Sequence, residues 1–329
     1  MEEAIKKRDY GFDNLKLFLI VLVVLGHLLE EISLEGNLGI IRSVIYSFHM
    51  PLFIFISGYF SKNGQNRCSR ALSDYLIPFF VFNSLYTVLF TKYTILNIFL
   101  PKYAFWYLLS LFFWNVGIEA VSKFKPILII SVLLGLYCGL FDDIDRLFSL
   151  SRTICFFPFF ILGYKFSDEK IKKLRSFNKA LPIICIALCA GATAMLNYKE
   201  IIPVKMYEMI QSYGKNGVEN LSGVLQRLII YVLAFALVLS IVAVVPNKEH
   251  WFTEYGKRTV CIYIFSSFLI KWAFELFKNA DMSFAYKNTL TELAFAIILE
   301  IVIILLTANK YVFKAYSFFI RMIRKVFIR

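Results

Sequence analysis

The sequence predicts an all-α fold, a polytopic membrane protein of about ten transmembrane helices with both termini in the cytoplasm. Three observations carry this expectation. The chain of 329 residues is 59% hydrophobic and 18% aromatic, with a mean hydropathy of +0.67, whereas soluble domains are about 45–50% apolar. Ten apolar runs approach the length of about 20 residues that a membrane helix needs. The segments between the runs are charged asymmetrically, as positive-inside topology requires.

The runs fall at roughly 15–34, 39–60, 72–91, 99–120, 126–141, 151–166, 180–197, 224–245, 258–277 and 289–309. A polar, basic head, "MEEAIKKRDYGFDN", precedes the first. No small-residue cleavage site follows it, so the run reads as a retained span and not as a signal peptide. The second contains Pro51, which removes a backbone hydrogen bond and can bend a helix. The fifth and sixth are short, and Gly135, Gly139, Pro158 and Gly163 in them point to kinks or close helix packing. The longest loop, about 198–223, is expected outside, where it can cap a site. The tail "VFKAYSFFIRMIRKVFIR" alternates aromatics with bases at helical spacing and reads as an amphipathic helix on the anionic inner leaflet. The expected division is therefore a transmembrane domain, 1–312, and a basic tail, 313–329.

With a cytoplasmic N-terminus, the inside segments carry 24 lysines and arginines and the outside segments 11, Arg42, Arg152 and Arg227 being assigned to the latter. Lys271 lies within a span. The net charge of +13 is thus accounted for by topology, with the lipid bilayer as partner and no nucleic acid. The six cysteines show neither metal-ligand nor redox spacing and read as small hydrophobes, so no metal is expected.

Ionisable groups inside spans are expensive, so each is a candidate for function. Lys16 and His27 are 11 residues apart in the first run. That is three turns plus about 20°, placing both on one face about 16 Å apart. Glu30 and Glu31 follow His27 at i+3 and i+4, close enough to orient its ring. His49 enters the second run from outside, at a depth of about 13 Å against about 10 Å for His27. Two histidines at matched depth on consecutive helices, with carboxylates near, argue for a polar cavity; the plainer reading of His49 is a hydrogen bond between helices. Arg152 opens the sixth run, and its plainer reading is an interfacial, snorkelling side chain. Lys271 and Glu275 form an i, i+4 pair of structural character. Glu300 is mid-span without a local partner or an evident role, His250 reads as a solvated loop residue, and Trp106 and Tyr107 as belt or core aromatics.

At these residues the chain resembles the acyltransferase 3 family of integral-membrane acyltransferases, in particular its fucose 4-O-acetylase-like branch. The resemblance covers nearly the whole chain and rests on "DNLKLFLIVLVVLGH", "FHMPLFIFISGYF", "YLIPFFVFN", "FWYLL", "RTICFFPFFILGY" and "GKRTVCIYIFSSF", the first two being the most specific. It implies ten helices and transfer of an acyl group, usually acetyl, from cytoplasmic acyl-CoA to a hydroxyl of an extracytoplasmic or lipid-linked carbohydrate. The family's hallmark is an arginine, ten residues, then a catalytic histidine. Here His27 holds the histidine position and Lys16 the arginine position, which keeps the charge and loses the bidentate fork. Arg152 matches a recurrent family arginine. Where the ninth helix often carries a histidine, this chain has Ser266.

The chemistry so implied needs a base for the hydroxyl proton and donors for the developing oxyanion. The expected roles are His27 as base or relay, oriented by Glu30 or Glu31, and His49 as oxyanion donor or second relay. Lys16 and Arg152 are expected to contact donor phosphates or acceptor, Lys16 being assigned to acetyl-CoA or another acyl-CoA. The sequence shows no glycine-rich phosphate loop and leaves a covalent acyl-enzyme open. It also leaves open whether the pantetheine arm threads inward to the histidines or the acyl group is relayed. A multi-pass protein of a bacterial plasma membrane is the expected setting. Ten helices and intramembrane charges suit a transporter or flippase for a glycolipid or small solute equally well, and the two specific motifs favour the enzyme. A non-catalytic glycan-binding protein is disfavoured by the pair of histidines.

Overall fold

The computed structural model describes residues 9–33, 36–62, 66–91, 95–144, 147–278 and 288–327. Of the lysines and arginines counted above, Lys6, Lys7, Arg8, Lys92, Arg146, Lys287 and Arg329 lie outside these residues. Regular structure among the described residues is entirely helical. In chain order it comprises α1 (Tyr10–Ile32), α2 (Gly36–Phe60), α3 (Arg67–Ala71), α4 (Ile77–Phe90), α5 (Ile95–Phe99), α6 (Trp106–Val121), α7 (Ile127–Cys138) and α8 (Leu150–Lys165). It continues with α9 (Asp168–Ser176), α10 (Ala180–Tyr198), α11 (Val204–Glu208), α12 (Asn220–Val244), α13 (Thr259–Phe277), α14 (Thr289–Thr307) and α15 (Lys310–Phe327). A π-helical turn, Leu72–Leu76, joins α3 to α4.

Every apolar run of the sequence forms a helix. Six helical segments among the described residues are long and apolar enough to cross a membrane: α2, the α3–α4 unit, α10, α12, α13 and α14. The remaining four runs are α1, α6, α7 and α8; the last three, at 16, 12 and 16 residues, fall short of the usual length of about 20.

Side chains that accept from orphan backbone N–H groups start several helices. Asp9 caps α1 through Phe12 N, Glu219 caps α12, and Asn288 with Thr291 forms a capping box on α14. α2 lies at the centre, packed on α1, α8, α10, α11, α12 and α14. Its crossing with α8 is close, backbone against backbone. A Cβ at Gly163 would run into the carbonyl of Phe55, and one at Gly58 into that of Phe160. Small residues on both helices thus bring the backbones together. This crossing fixes His49 on α2 relative to Arg152 on α8. At the periphery, α10 and α14 turn Leu181, Leu188, Ile298 and Leu305 outward, as a lipid-facing surface demands.

Two arginines assigned to outside segments are instead among the most buried large side chains. Arg42 is 1% and Arg227 0% exposed. Arg227 donates to the carbonyls of Gly135 (3.0 Å) and Gln211 (3.4 Å) and stacks on Tyr213. Backbone acceptors at helix ends make that burial tolerable. Cys68 is exposed, unlike the packed apolar role expected of all six cysteines. The amphipathic helix predicted for the tail is present as α15, beginning at Lys310; it buries Tyr316 and projects Phe318, Met322 and Val326 outward.

Candidate active site

α1 and α2 run antiparallel, and the Gly26–Tyr46 contact sets their register: the Tyr46 ring covers Gly26, and its hydroxyl lies 3.4 Å from the Gly26 carbonyl. The Tyr46 hydroxyl also donates to Glu30 Oε2 at 3.3 Å. The same oxygen stands 3.3 Å from His27 Nδ1. A carboxylate only accepts, so His27 Nδ1 is the donor, and the neutral ring carries its lone pair on Nε2. Glu31, the alternative partner considered for His27, turns instead to Lys271 at 3.7 Å. Lys271 thereby links Glu31 to Glu275, so the expected i, i+4 pair extends into a bridge between α13 and α1.

His49 is 6% exposed, and its Nδ1 donates to the Ile45 carbonyl at 2.8 Å. This is an intrahelical bond to i−4, not the bond between helices considered from the sequence. Its consequence is chemical. With Nδ1–H committed, neutral His49 presents Nε2 as an acceptor, which suits a relay and not an oxyanion donor.

Arg152 does not snorkel. Its Nε donates to the Glu208 carbonyl at 3.0 Å, and its guanidinium lies 4.8 Å from the centroid of Trp106. α11 holds that carbonyl in place and ends at Met209, in the left-handed region with φ 56°. The loop predicted to cap a site therefore supplies part of its wall. Half-buried in that wall, Glu208 has its carboxyl pushed above the usual range by desolvation.

His27, Glu30, Tyr46, His49, Arg152 and Glu208 line one inner cavity of about 40 Å³, with Trp106 and Tyr263 among its other walls. An adjoining cavity of about 190 Å³ shares His27, Glu30, Trp106 and Arg152 and adds Tyr103, Ser149 and Ser151. Tyr103 stacks on His27 at 4.4 Å. Tyr103 and Ser149 both hold positive φ, 52° and 55°, a strained conformation that clusters at functional sites. Four of the five site residues expected from the sequence thus converge.

Lys16 does not join them. It pairs with Asp13 at 2.9 Å and lines a separate cavity of about 530 Å³ at the other end of α1. Arg67, Arg70, Asp74 and Arg324 share that cavity, which gathers four bases, and Arg67 pairs with Glu119 at 2.9 Å. Asp74 lies in the π-helical turn and receives a two-pronged bond from Arg324 of α15 at 2.6 and 3.0 Å. The sequence reading missed Arg67 and Arg70 here, and Tyr46 and Glu208 at the histidines. Helical spacing carries no signal for Glu208, which reaches the site from a distant loop. Trp106, read as a belt or core aromatic, is buried in the core and also lies under Arg152. Ser266 Oγ donates to the Tyr263 carbonyl of its own helix at 3.4 Å. His250 is half-buried and stacks on Phe252 at 5.0 Å instead of standing free in solvent. Glu300 is buried, and its Oε1 has no hydrogen-bond partner among the described residues. No three ligand-type side chains cluster as a metal site among the described residues.

Comparison with known proteins decides the family. Residues 9–309 match the acyltransferase 3 family, described as an acyltransferase domain. The chain belongs to the acyltransferase 3 family. Its matched region includes α1 to α14 and the site residues above except Arg324 of α15. Curated relatives within reach are two proteins named Nodulation protein NolL. The one from Sinorhizobium fredii is 45% identical over 73 residues, 20% of this chain and 20% of that protein. The one from Mesorhizobium japonicum is 46% identical over 66 residues, 19% of this chain and 18% of that protein. The matched stretch thus spans about a fifth of those relatives' length. No solved structure matches this family member.

Proposed function

We propose that this protein is a membrane-bound O-acyltransferase of the fucose 4-O-acetylase-like branch. It moves an acyl group, acetyl in the first instance, from acyl-CoA to a hydroxyl of an extracytoplasmic or lipid-linked carbohydrate. The proposed setting is a bacterial plasma membrane, crossed about ten times with both termini inside; α15 lies as a tail on the inner leaflet. The observation that carries the reading is the convergence of His27, Glu30, His49 and Arg152 on one cavity.

In this mechanism Glu30 fixes the His27 ring with Nδ1–H donating, and Tyr46 holds Glu30 from the other side. His27 Nε2 takes the proton of the acceptor hydroxyl. The acceptor oxygen attacks the thioester carbonyl, and Arg152 faces the negative charge that develops on the carbonyl oxygen. Collapse of the tetrahedral species breaks the C–S bond, and His27 returns the proton to the leaving thiolate of CoA. His49 Nε2, an acceptor in the same cavity, is a second group able to carry this one proton from the hydroxyl to the thiolate.

The donor's phosphates would sit in the cavity with Lys16, Arg67, Arg70 and Arg324. Lys16 and His27 are about 16 Å apart on one face of α1, so the pantetheine arm follows that face inward. Neither histidine cavity alone has the volume for two substrates, and binding must widen it. The experiment is transfer of radiolabelled acetyl from acetyl-CoA by the purified chain, with CoA release measured with and without a mixed bacterial glycan extract. Label transfer to glycan supports the reading. Absence of both transfer and CoA release, with glycolipid movement across vesicles instead, would place the protein among transporters.

A further inference from the structure

A further cavity is larger than those above. A groove of about 660 Å³ opens at the histidine end of the bundle, between the start of α2 and the 197–216 segment. Asn37, Arg42, Asn197, Tyr198, Lys205 and Asn216 are among its walls. Two of these carry buried polar atoms whose hydrogen-bonding capacity is unmet. Arg42 Nε and Nη1 have no hydrogen-bond partner among the described residues, and neither has Asn216 Oδ1. A guanidinium that is 1% exposed with two unused nitrogens is expensive to maintain. Glu208 Oε1 stands 3.7 Å from Arg42 Nη2, beyond hydrogen-bond reach.

Arg42 also joins the groove to the site. Its guanidinium lies 5.6 Å from the Tyr46 centroid, and Tyr46 and Glu208 both line the inner cavity. The strap that separates the two spaces, 201–208, runs between Glu200 and Met209, both held at φ 56°. Lys205 of this strap is exposed at the groove, and Glu200 is the acidic side chain opposing the two bases there.

We infer that this groove binds the acceptor carbohydrate and that Arg42 recognises an anionic group on it, a carboxylate or a phosphate. The inference rests on the transfer reading above for the word acceptor, and on the groove alone for the binding. Arg42 supplies the donors that an anion needs, Asn216 Oδ1 accepts from a sugar hydroxyl, and Tyr198 offers a face for the ring. An anion engaging Arg42 sits one side chain away from Glu208, whose carbonyl positions Arg152.

The test is calorimetric titration of the full purified chain in lipid nanodiscs with glucuronate, glucose 1-phosphate and glucose. At least one anionic sugar binds more tightly than glucose, and the stronger of the two identifies carboxylate or phosphate. Arg42→Gln weakens that binding about tenfold or more, as loss of a charged hydrogen bond does. Equal binding of all three sugars, no binding of either anionic sugar, or unchanged affinity in folded Arg42→Gln overturns the proposal. If Arg42→Gln does not fold, the surface variant Lys205→Glu decides: weaker binding of both anionic sugars supports the groove, and unchanged affinity overturns it. His27→Ala, titrated in parallel, keeps the binding. If that variant also still transfers acetyl, the proposed chemistry fails while the groove stands.

Discussion

His27 Nδ1 and Glu30 Oε2 stand 3.3 Å apart, one helical turn from each other on α1, and the Tyr46 hydroxyl closes on the same oxygen from α2. The carboxylate therefore holds one tautomer of the imidazole, with Nε2 unprotonated, in a ring that lines the cavity. Glu30→Gln keeps the size but can present an amide N–H to Nδ1, which favours the wrong tautomer. The expected outcome is a fall in kcat of at least tenfold, part of the about 10²–10⁴-fold that a positioned base supplies. KM for acetyl-CoA should stay near wild type, as steady-state CoA release will show.

His49 separates a structural from a chemical role. Asn at this position can keep a donor near Nδ1 for the Ile45 carbonyl but offers nothing at Nε2. His49→Asn is expected to fold and to lose transfer activity, whereas His49→Gln, with a polar group nearer Nε2, retains more. Wild-type transfer by His49→Asn, with unchanged thermal stability, reduces His49 to a helix brace.

Lys16 lies in a different cavity from the histidines, and its variants should read out on the donor. Lys16→Ala is expected to raise KM for acetyl-CoA by about tenfold, equivalent to about 1.4 kcal/mol. Lys16→Arg should remain close to wild type, since it keeps the charge and adds the fork for phosphate. Equal KM values for the two variants remove Lys16 from the donor site.

Arg152 is held by the Glu208 carbonyl and the Trp106 face. Arg152→Lys retains the charge but not the planar stacking or the Nε donor. A loss of about 10²–10³ in kcat is expected if the group faces the oxyanion. Measurement of kcat against KM for donor and acceptor separates this role from ground-state binding.

The α2–α8 crossing supports the site through Gly163, where any side chain meets the Phe55 carbonyl. Gly163→Leu is expected to destabilise the fold by about 1–3 kcal/mol or more through overpacking. It should also reduce activity, because His49 and Arg152 ride on the two helices. A thermal melt in detergent alongside the transfer assay checks both effects.

The legible part of this molecule was what helical periodicity encodes. Ten apolar runs predicted where the long helices lie, and an 11-residue spacing placed Lys16 and His27 on one face. Matched depth put His27 and His49 at one level, and they share a cavity. Periodicity says nothing about partners brought together by tertiary packing. Glu208 lies 178 residues beyond Glu30 in the chain and reaches the site on the five-residue helix α11. Nor does it separate a loop charge from a buried one. Arg42 and Arg227 look like outside bases by position, yet packing against Tyr46 and Tyr213 encloses both. The choice between Glu30 and Glu31 was likewise decided by the neighbouring helix, because Lys271 on α13 draws Glu31 away.

The central claim is that His27 is the base that activates the acceptor hydroxyl. Single-turnover transfer of radiolabelled acetyl by His27→Ala, matched to wild type for folding and membrane insertion, tests it most directly. The account predicts a rate lower by about 10²–10⁴-fold, with acetyl-CoA binding retained at the Lys16 cavity. Transfer at the wild-type rate by the folded variant would contradict it.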